Sequence, residues 1–465
     1  MRADTSSILL PALFWCLCAF PASVLAQRPG DLADRAYKSA LIDSISYLVD
    51  SKYVLPAEAK RYAAELRARG ASGSYDSSRT AVDFAEQVTA DLVQITGDSH
   101  FSLRVRQPAE ADETAAGSLY HPMRYARLQR REHAGFFKLD WIDGNVGYLD
   151  LRRFYPISES KELFDGAMRF FATADAIIID LRENGGGAGE SLPYLSSYFL
   201  EHPTQLTSYY SREDDFLTEF WTTEVVDGER RTDVPLFLLT SGTTFSAAEM
   251  FAYDMAVTGR ATLVGDSTRG GAHSVDLYQI DQQFEIYIPT ARAINPVTSS
   301  NWEGTGVVPD VLVPSESALD TAIVLASAAA REFAVLRETR IDLAARQMRL
   351  LLDRAEMLYG EGEQRAAEIA LDSVFQLADA AGVLSEFFMD VLAYNYLSDT
   401  DAEILYAVSK KRIDFFPESA AAHAALGHAY SRHGENELAI ECFEKVLELD
   451  PGNHNEAKMI ERLRG

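Results

Sequence analysis

Residues 176–187 read Ala-Ile-Ile-Ile-Asp-Leu-Arg-Glu-Asn-Gly-Gly-Gly. The run Ala176 to Asp180 is too short for a helix and offers no polar face, which is the pattern of a strand buried on both sides. Such strands belong to parallel sheets covered by helices, and α/β proteins place ligands just beyond their carboxyl ends. Gly185, Gly186 and Gly187 then let backbone approach a bound group closely. Phosphate is a poor candidate, because no Lys-Ser/Thr pair follows and Glu190 stands where a G-x-G-x-x-G loop needs its last glycine. A glycine-lined loop that stabilises an oxyanion fits better.

The same alternation extends outward. Pro235 to Thr240 and Ala261 to Gly265 read as further buried strands, with a helix from Ser246 to Thr258 between them. Upstream, Phe136 to Ile142 and Val146 to Leu151 flank Asp143-Gly144 as a hairpin, followed by a helix over 160–172. A late hairpin, 274–280 with 284–289, adds antiparallel edges. Strand and helix in this order predict an α/β core over 135–314 with a mostly parallel sheet and crossover helices.

The flanks are helical. Residues 27–106 carry Leu41, Ile45 and Leu48, then Phe84, Val88, Leu92 and Ile95 at three and four spacing, which predicts an N-terminal helical bundle. Residues 107–134 lack periodicity and read as a linker, with Arg124, Arg127, Arg130 and Arg131 on a solvated face. Beyond 315 the chain is helical to its end at 465. Leu426, Gly427, Tyr430, Ala439, Phe443 and Pro451 stand at the spacings of one tetratricopeptide repeat, and Leu392, Ala393, Tyr396 and Pro417 keep part of an earlier frame. A short C-terminal α-solenoid follows, a scaffold that commonly binds a protein partner.

Composition bounds the function. The chain has 465 residues, 47% hydrophobic and 24% charged, so it is globular and too long for one core. A net charge of -27 repels nucleic acid and anionic lipid. Arg2, the apolar run from Ile8 to Phe20 and the small residues ending at Ala26 read as a signal peptide over 1–26, placing the mature protein in the periplasm or outside the cell. Pro11, Pro21 and the short run argue against a lasting membrane anchor. Cys16 and Cys18 leave with the signal, so only Cys442 remains and no internal disulfide is expected.

Thr240-Ser-Gly-Thr-Thr-Phe-Ser246-Ala-Ala-Glu249 lies at a strand-to-helix junction. A serine there faces unpaired amides and the positive end of the helix dipole, which suits a nucleophile whose intermediate is an oxyanion. The same four residues, Ser246 to Glu249, also make a capping box, and a serine can sit there for that reason alone.

These segments come in one order: Asp180-Leu-Arg-Glu-Asn-Gly-Gly-Gly187, Ser246-Ala-Ala-Glu249, Gly259-Arg-Ala-Thr-Leu-Val-Gly265, Gly270-Gly-Ala-His273 and Glu303-Gly-Thr-Gly-Val-Val-Pro-Asp310. The series resembles the tail-specific, or carboxyl-terminal processing, serine peptidases. It most resembles the branch that includes tricorn protease and interphotoreceptor retinoid-binding protein. The resemblance implies a core of the ClpP/crotonase type and peptide-bond hydrolysis in unfolded or flexible polypeptides, without metal or cofactor. One branch uses a Ser-Lys dyad, but here Gly271 occupies the lysine position and no lysine occurs from 162 to 409. The resemblance therefore implies a histidine base. Gly97-Asp98-Ser99-His100 is similar to the Ser-His pair of tricorn-like enzymes, whose glutamate matches Glu303.

The implied set is Ser246 as nucleophile, His100 as general base, and Ser99 with Glu303 orienting the imidazole. His273 is the second choice for the base. The implied oxyanion donors are the amides of Gly186 or Gly187 and of Ala247. No PDZ domain has room before the core. The rival expectation is a silent module on the same core that binds apolar ligands or proteins, with the repeats docking a partner.

Overall fold

The computed structural model describes residue 32 and residues 34–106, 120–392 and 402–465. The signal segment with Cys16 and Cys18, residues 107–119 of the linker, and Ala393 and Tyr396 of the repeat frame lie outside the described residues. Two compact units divide the chain, at Phe333 and Ala334.

The first unit opens with three helices, α1 (Arg35–Lys52), α2 (Pro56–Ala71) and α3 (Ala81–Thr96). Each begins on a recognisable signal. Asp34 accepts from the Ala36 amide, Pro56 takes the first position of α2, and Thr80 with Asp83 forms a reciprocal capping box. Gly97 ends α3 in the left-handed conformation, φ 76°. Leu41, Ile45, Phe84, Val88 and Leu92 are buried as their spacing predicts, but the core they form also contains Phe284, Ile286 and Ile288. The reason is β1 (Ser102–Val105), which pairs antiparallel with the strand carrying those residues. The N-terminal segment is thus a helical layer on a sheet.

After α4 (Tyr120–Arg131) come β2 (Phe136–Ile142) and β3 (Val146–Leu151), α5 (Ile157–Phe170), β4 (Ala176–Asp180), α6 (Leu192–Ser196), β5 (Gln205–Ser211), β6 (Phe216–Trp221), β7 (Leu236–Thr240), α7 (Ala247–Val257), β8 (Thr262–Gly265), β9 (His273–Gln279), β10 (Phe284–Ile294) and β11 (Val311–Leu312). One sheet has the order β11-β8-β7-β4-β3-β2, parallel except for β2. The second, antiparallel, has the order β1-β10-β5-β6 with β9 also on β10.

β4 is buried throughout. Ile177 and Ile179 face the cluster that holds Phe164, Leu195, Ala248 and Phe251, while Ala176 and Ile178 face the opposite side. Each such isoleucine contributes roughly 1.5–3 kcal/mol by leaving water. The opposite side is covered by Ala318, Ala322, Ala326 and Ala330, a four-residue stripe at the start of α8 (Ser315–Gly360). Small side chains let that helix sit close to the strands. The first unit therefore runs past residue 314, the end expected for the core, to Phe333.

In the second unit the later part of α8 packs with α9 (Gln364–Ala380), α10 (Glu386–Val391) and α11 (Ala402–Phe415) around Leu371, Val374 and Phe375. Then α12 (Ala420–Arg432), α13 (Asn436–Leu449) and α14 (His454–Arg464) follow. Gly427 allows the α12–α13 contact: a Cβ there would lie 2.6 Å from the Phe443 ring.

Candidate active site

Ser246 stands between β7 and α7 with φ 55° and ψ -118°. A non-glycine residue in such a conformation costs on the order of 1–3 kcal/mol and persists only where its surroundings over-determine it. Here they do. The Phe245 amide donates to Asn184 O at 3.0 Å, and the Ser246 amide donates to Glu249 Oε2 at 2.8 Å. Glu249 is fully buried and also accepts from Thr268 Oγ1 at 2.5 Å, Gly270 N at 2.6 Å and Gly271 N at 2.9 Å. Burial pushes its carboxyl above the ordinary glutamate value, and these bonds offset part of the shift. One carboxylate thus ties the serine turn to the turn at residues 270–271.

The glycine loop packs directly on this elbow. A Cβ on Gly186, φ 95°, would lie 2.9 Å from Ser246 Cβ and 3.0 Å from Ala247 N. The Gly186 amide itself donates to Asn184 Oδ1 at 2.9 Å, while Asn184 Nδ2 donates to Leu151 O at 2.8 Å. That amide is committed to holding the loop. Of the three expected oxyanion donors, Gly187 N–H and Ala247 N–H remain, the latter among the first-turn amides a helix leaves without an internal acceptor.

The imidazoles meet at one carboxylate. Asp98 follows the Gly97 cap, its Oδ1 accepting from His100 N at 3.0 Å in a local turn. The same Oδ1 lies 3.4 Å from His100 Nδ1, and Oδ2 lies 2.6 Å from His273 Nδ1. Glu303 Oε2 accepts from Ala272 N at 2.6 Å and is 3.7 Å from His273 Nδ1. Burial opposes ionisation of Asp98, but His100 and His273 outweigh it and hold its carboxyl well below the usual range. Burial likewise pulls His273 down, and Asp98 with Glu303 outweighs it, so its pKa is raised. Glu303 is pushed up by burial and by the Asp98 charge. His100 packs tilted against Phe245, at 4.4 Å between ring centroids and 33° between ring planes. Both its ring nitrogens are buried without a hydrogen-bond partner, so no Ser246–His100 hydrogen bond is formed.

Residues 145–313 match the model of peptidase family S41, and residues 420–453 match that of the tetratricopeptide repeat. The S41 match runs from β3 to β11. Among curated proteins the chain is similar to the carboxyl-terminal-processing protease of Picosynechococcus sp., 28% identical over 180 residues, covering 38% of this chain and 42% of that one. It is also similar to the chloroplastic carboxyl-terminal-processing peptidase 1 of Arabidopsis thaliana, 23% identical over 201 residues, covering 41% and 39%. The chain spans about two fifths of the length of these relatives. Similar solved structures include tricorn protease (TM-score 0.41, 14% identity, 64% of this chain and 37% of that chain) and the photosystem II D1 C-terminal processing protease (0.38, 14%, 63% and 98%).

Within the first unit the expected residues divide into two groups. Ser246, Gly186, Gly187 and Ala247 form the elbow. His100, His273 and Glu303 gather at Asp98, with Ser99 half-buried in the turn between Asp98 and His100. Glu303 neighbours His273, and the carboxylate beside His100 is Asp98. Two residues matter here that sequence reasoning did not single out for the site. Asp98 had a signal, since Asp-x-His lets the carboxylate turn onto the amide two residues on. Glu249 was legible only as a cap. Gly271 has a local reason: a Cβ there would overlap the Phe245 ring and lie 2.6 Å from His100 Cε1. The space a lysine would need is filled by the rings of Phe245 and His100. A cavity of about 330 Å³ is lined by Asp98, Tyr53, Tyr62, His273, Arg292 and Glu303 among others. Among the described residues no helix is long and apolar enough to cross a membrane.

Proposed function

We propose that the chain is an exported serine endopeptidase acting on unfolded or flexible polypeptides, with Ser246 as nucleophile and His100 as general base. The observation that carries this reading is the strained Ser246 turn, set against Gly186, with His100 packed on the ring of the adjacent Phe245. Strain of this kind is kept where a side chain must be presented. Ser246 Oγ attacks the scissile carbonyl carbon while its proton passes to His100. Because Nδ1 faces Asp98, Nε2 is the nitrogen left to take that proton and return it to the leaving amine. Water then repeats the sequence on the acyl-enzyme, releasing the carboxylate product and restoring the serine. Gly187 N–H and Ala247 N–H receive the oxyanion. Asp98 orients His100 and stabilises its imidazolium. Glu303 acts one step further out, through His273 and the Ala272 amide.

Purified protein labelled with a serine-directed fluorophosphonate tests this reading. Stoichiometric labelling that is absent in Ser246→Ala supports it, and labelling retained in that variant overturns it. Export is read from residues 1–26, and a mature chain beginning at Gln27 would support it. The repeat unit is proposed to hold polypeptide partners. The unpartnered nitrogens of His100 favour one alternative, a silent binding module on the same core. Absence of labelling in the native protein would favour that alternative.

A further inference from the structure

We propose that Asp98, His273 and Glu303 form a binding site for a zinc ion whose occupation silences the serine site. The binding half stands by itself, and the silencing half rests on the peptidase reading above.

The three side chains come from three separate segments: the turn after α3, the first residue of β9 and the loop before β11. Each offers one ligand atom, and the three atoms lie within 4.8 Å of one another. A tetrahedral zinc site with bonds of roughly 2.0–2.2 Å needs its ligand atoms about 3.3 Å apart. The His273 Nδ1 distances, 2.6 Å to Asp98 Oδ2 and 3.7 Å to Glu303 Oε2, fall on either side of that value. A small opening of the Asp98–His273 contact and a matching approach of Glu303 satisfy it. One imidazole with two carboxylates is a donor set suited to zinc, whereas magnesium and calcium take oxygen ligands.

Two further features point into the same place. Glu303 Oε1 is buried without a partner, beside the cavity of about 330 Å³. His100, with its side chain only 6% exposed, aims an unpartnered Nδ1 at Asp98 from the other side, 3.4 Å away. The cavity gives a path for the ion and room for a water as fourth ligand. Arg292 is the cation that lines this cavity, and its guanidinium lies 5.6 Å from the Tyr210 ring centroid. On binding, Nδ1 of His273 becomes a ligand and its contact with Asp98 is given up. Asp98 then serves the metal and no longer holds His100. That is the link to silencing.

The binding test uses the full-length mature chain carrying Ser246→Ala, so that it reads out whether or not the peptidase reading holds. Zinc is titrated by calorimetry, and cobalt is followed by its visible d–d absorption. The expected result is one ion per chain at micromolar or lower concentration, with no competition from magnesium. Glu303→Gln and His273→Gln on the same background should each weaken binding by more than the ~100-fold upper end for loss of an outer partner. Glu303→Gln keeps size and shape, and circular dichroism with a melting curve confirms that each variant is folded. Zinc that binds equally to the folded variants, or only weakly and at several surface carboxylates, overturns the site. In the native protein one equivalent of zinc should abolish casein turnover and EDTA restore it. Stoichiometric zinc binding with unchanged turnover overturns the silencing alone.

Discussion

Gly271 and His100 compete for one volume: a Cβ on residue 271 would lie 2.6 Å from His100 Cε1 and overlap the ring of Phe245. Gly271→Ala is therefore expected to destabilise by about 1–3 kcal/mol through overpacking. Since one displaced ring belongs to the proposed base, casein turnover should fall by more than the lost folded fraction explains. Phe245→Leu in the same chain removes part of the obstruction, so the two changes should be non-additive in denaturant midpoint. Wild-type melting and turnover in Gly271→Ala would show that the ring has room to move.

Asp98→Asn separates charge from shape. The Asp98 pKa is depressed in the folded state, so its contribution is present above the unfolded value of about 3.9 and is lost as pH falls through the folded one. The His273 pKa is raised, so its contribution is complete below about 6.5 and is lost as pH rises through the folded value. Their contact is at full strength between about pH 4 and pH 6.5. Within that window Asp98→Asn should cost about 3–5 kcal/mol, the penalty for leaving a buried charge unpaired. Denaturant unfolding should show the difference narrowing well above pH 7. An equal cost at both ends would mean that the pair is not ionic.

Asp254, buried in α7, behaves in the opposite sense. Its Oδ1 accepts from the Thr207 amide at 3.0 Å, Thr207 Oγ1 at 2.7 Å and Asn295 Nδ2 at 3.0 Å, while its Oδ2 is buried without a partner. Burial pushes its pKa up to about 7 against those bonds. A raised carboxyl favours folding while protonated, so its share is full below about 3.9 and is lost as pH rises to the folded value. Asp254→Asn stays neutral and should be more stable than the native protein above neutrality, by on the order of 2 kcal/mol. The two should converge near pH 4. A variant less stable at pH 8 would show that the carboxylate is solvated there.

Residues whose physics is local were legible before the fold was known. Ile177 to Ile179 are apolar on both faces and could only be a covered strand. Gly185 to Gly187, and Ser246 ahead of its helix, announced a loop and a turn by composition. β5 and β6 were not legible, because Thr207, Ser208 and the largely exposed Phe216 to Trp221 lack the alternation of a half-buried strand. The alanine stripe from Ala318 to Ala330 reads as any amphipathic helix, and only the sheet it covers assigns it to the first unit. The pairing of Glu303 with His273, and of Asp98 with both imidazoles, depends on how α3, β9 and the loop before β11 meet. Sequence spacing does not encode that meeting.

His100 and His273 share Asp98, and two observations tell them apart. His100 packs its ring against Phe245, the residue before Ser246, with 4.4 Å between centroids. His273 has Nδ1 engaged by Asp98 and lies near Glu303. His100→Ala should therefore lower casein turnover about as far as Ser246→Ala does, by ~10⁴-fold or more, because members of a catalytic set act as a unit. His273→Gln leaves Asp98 free to hold His100 and should cost less than the ~10²-fold at the lower end for a proton-transferring group. Glu303→Gln should cost less again, since it acts on His273. His100→Ala near wild-type rates beside an inactive, folded His273→Gln would transfer the role to His273. In that case the His100 ring would serve only as packing for Phe245.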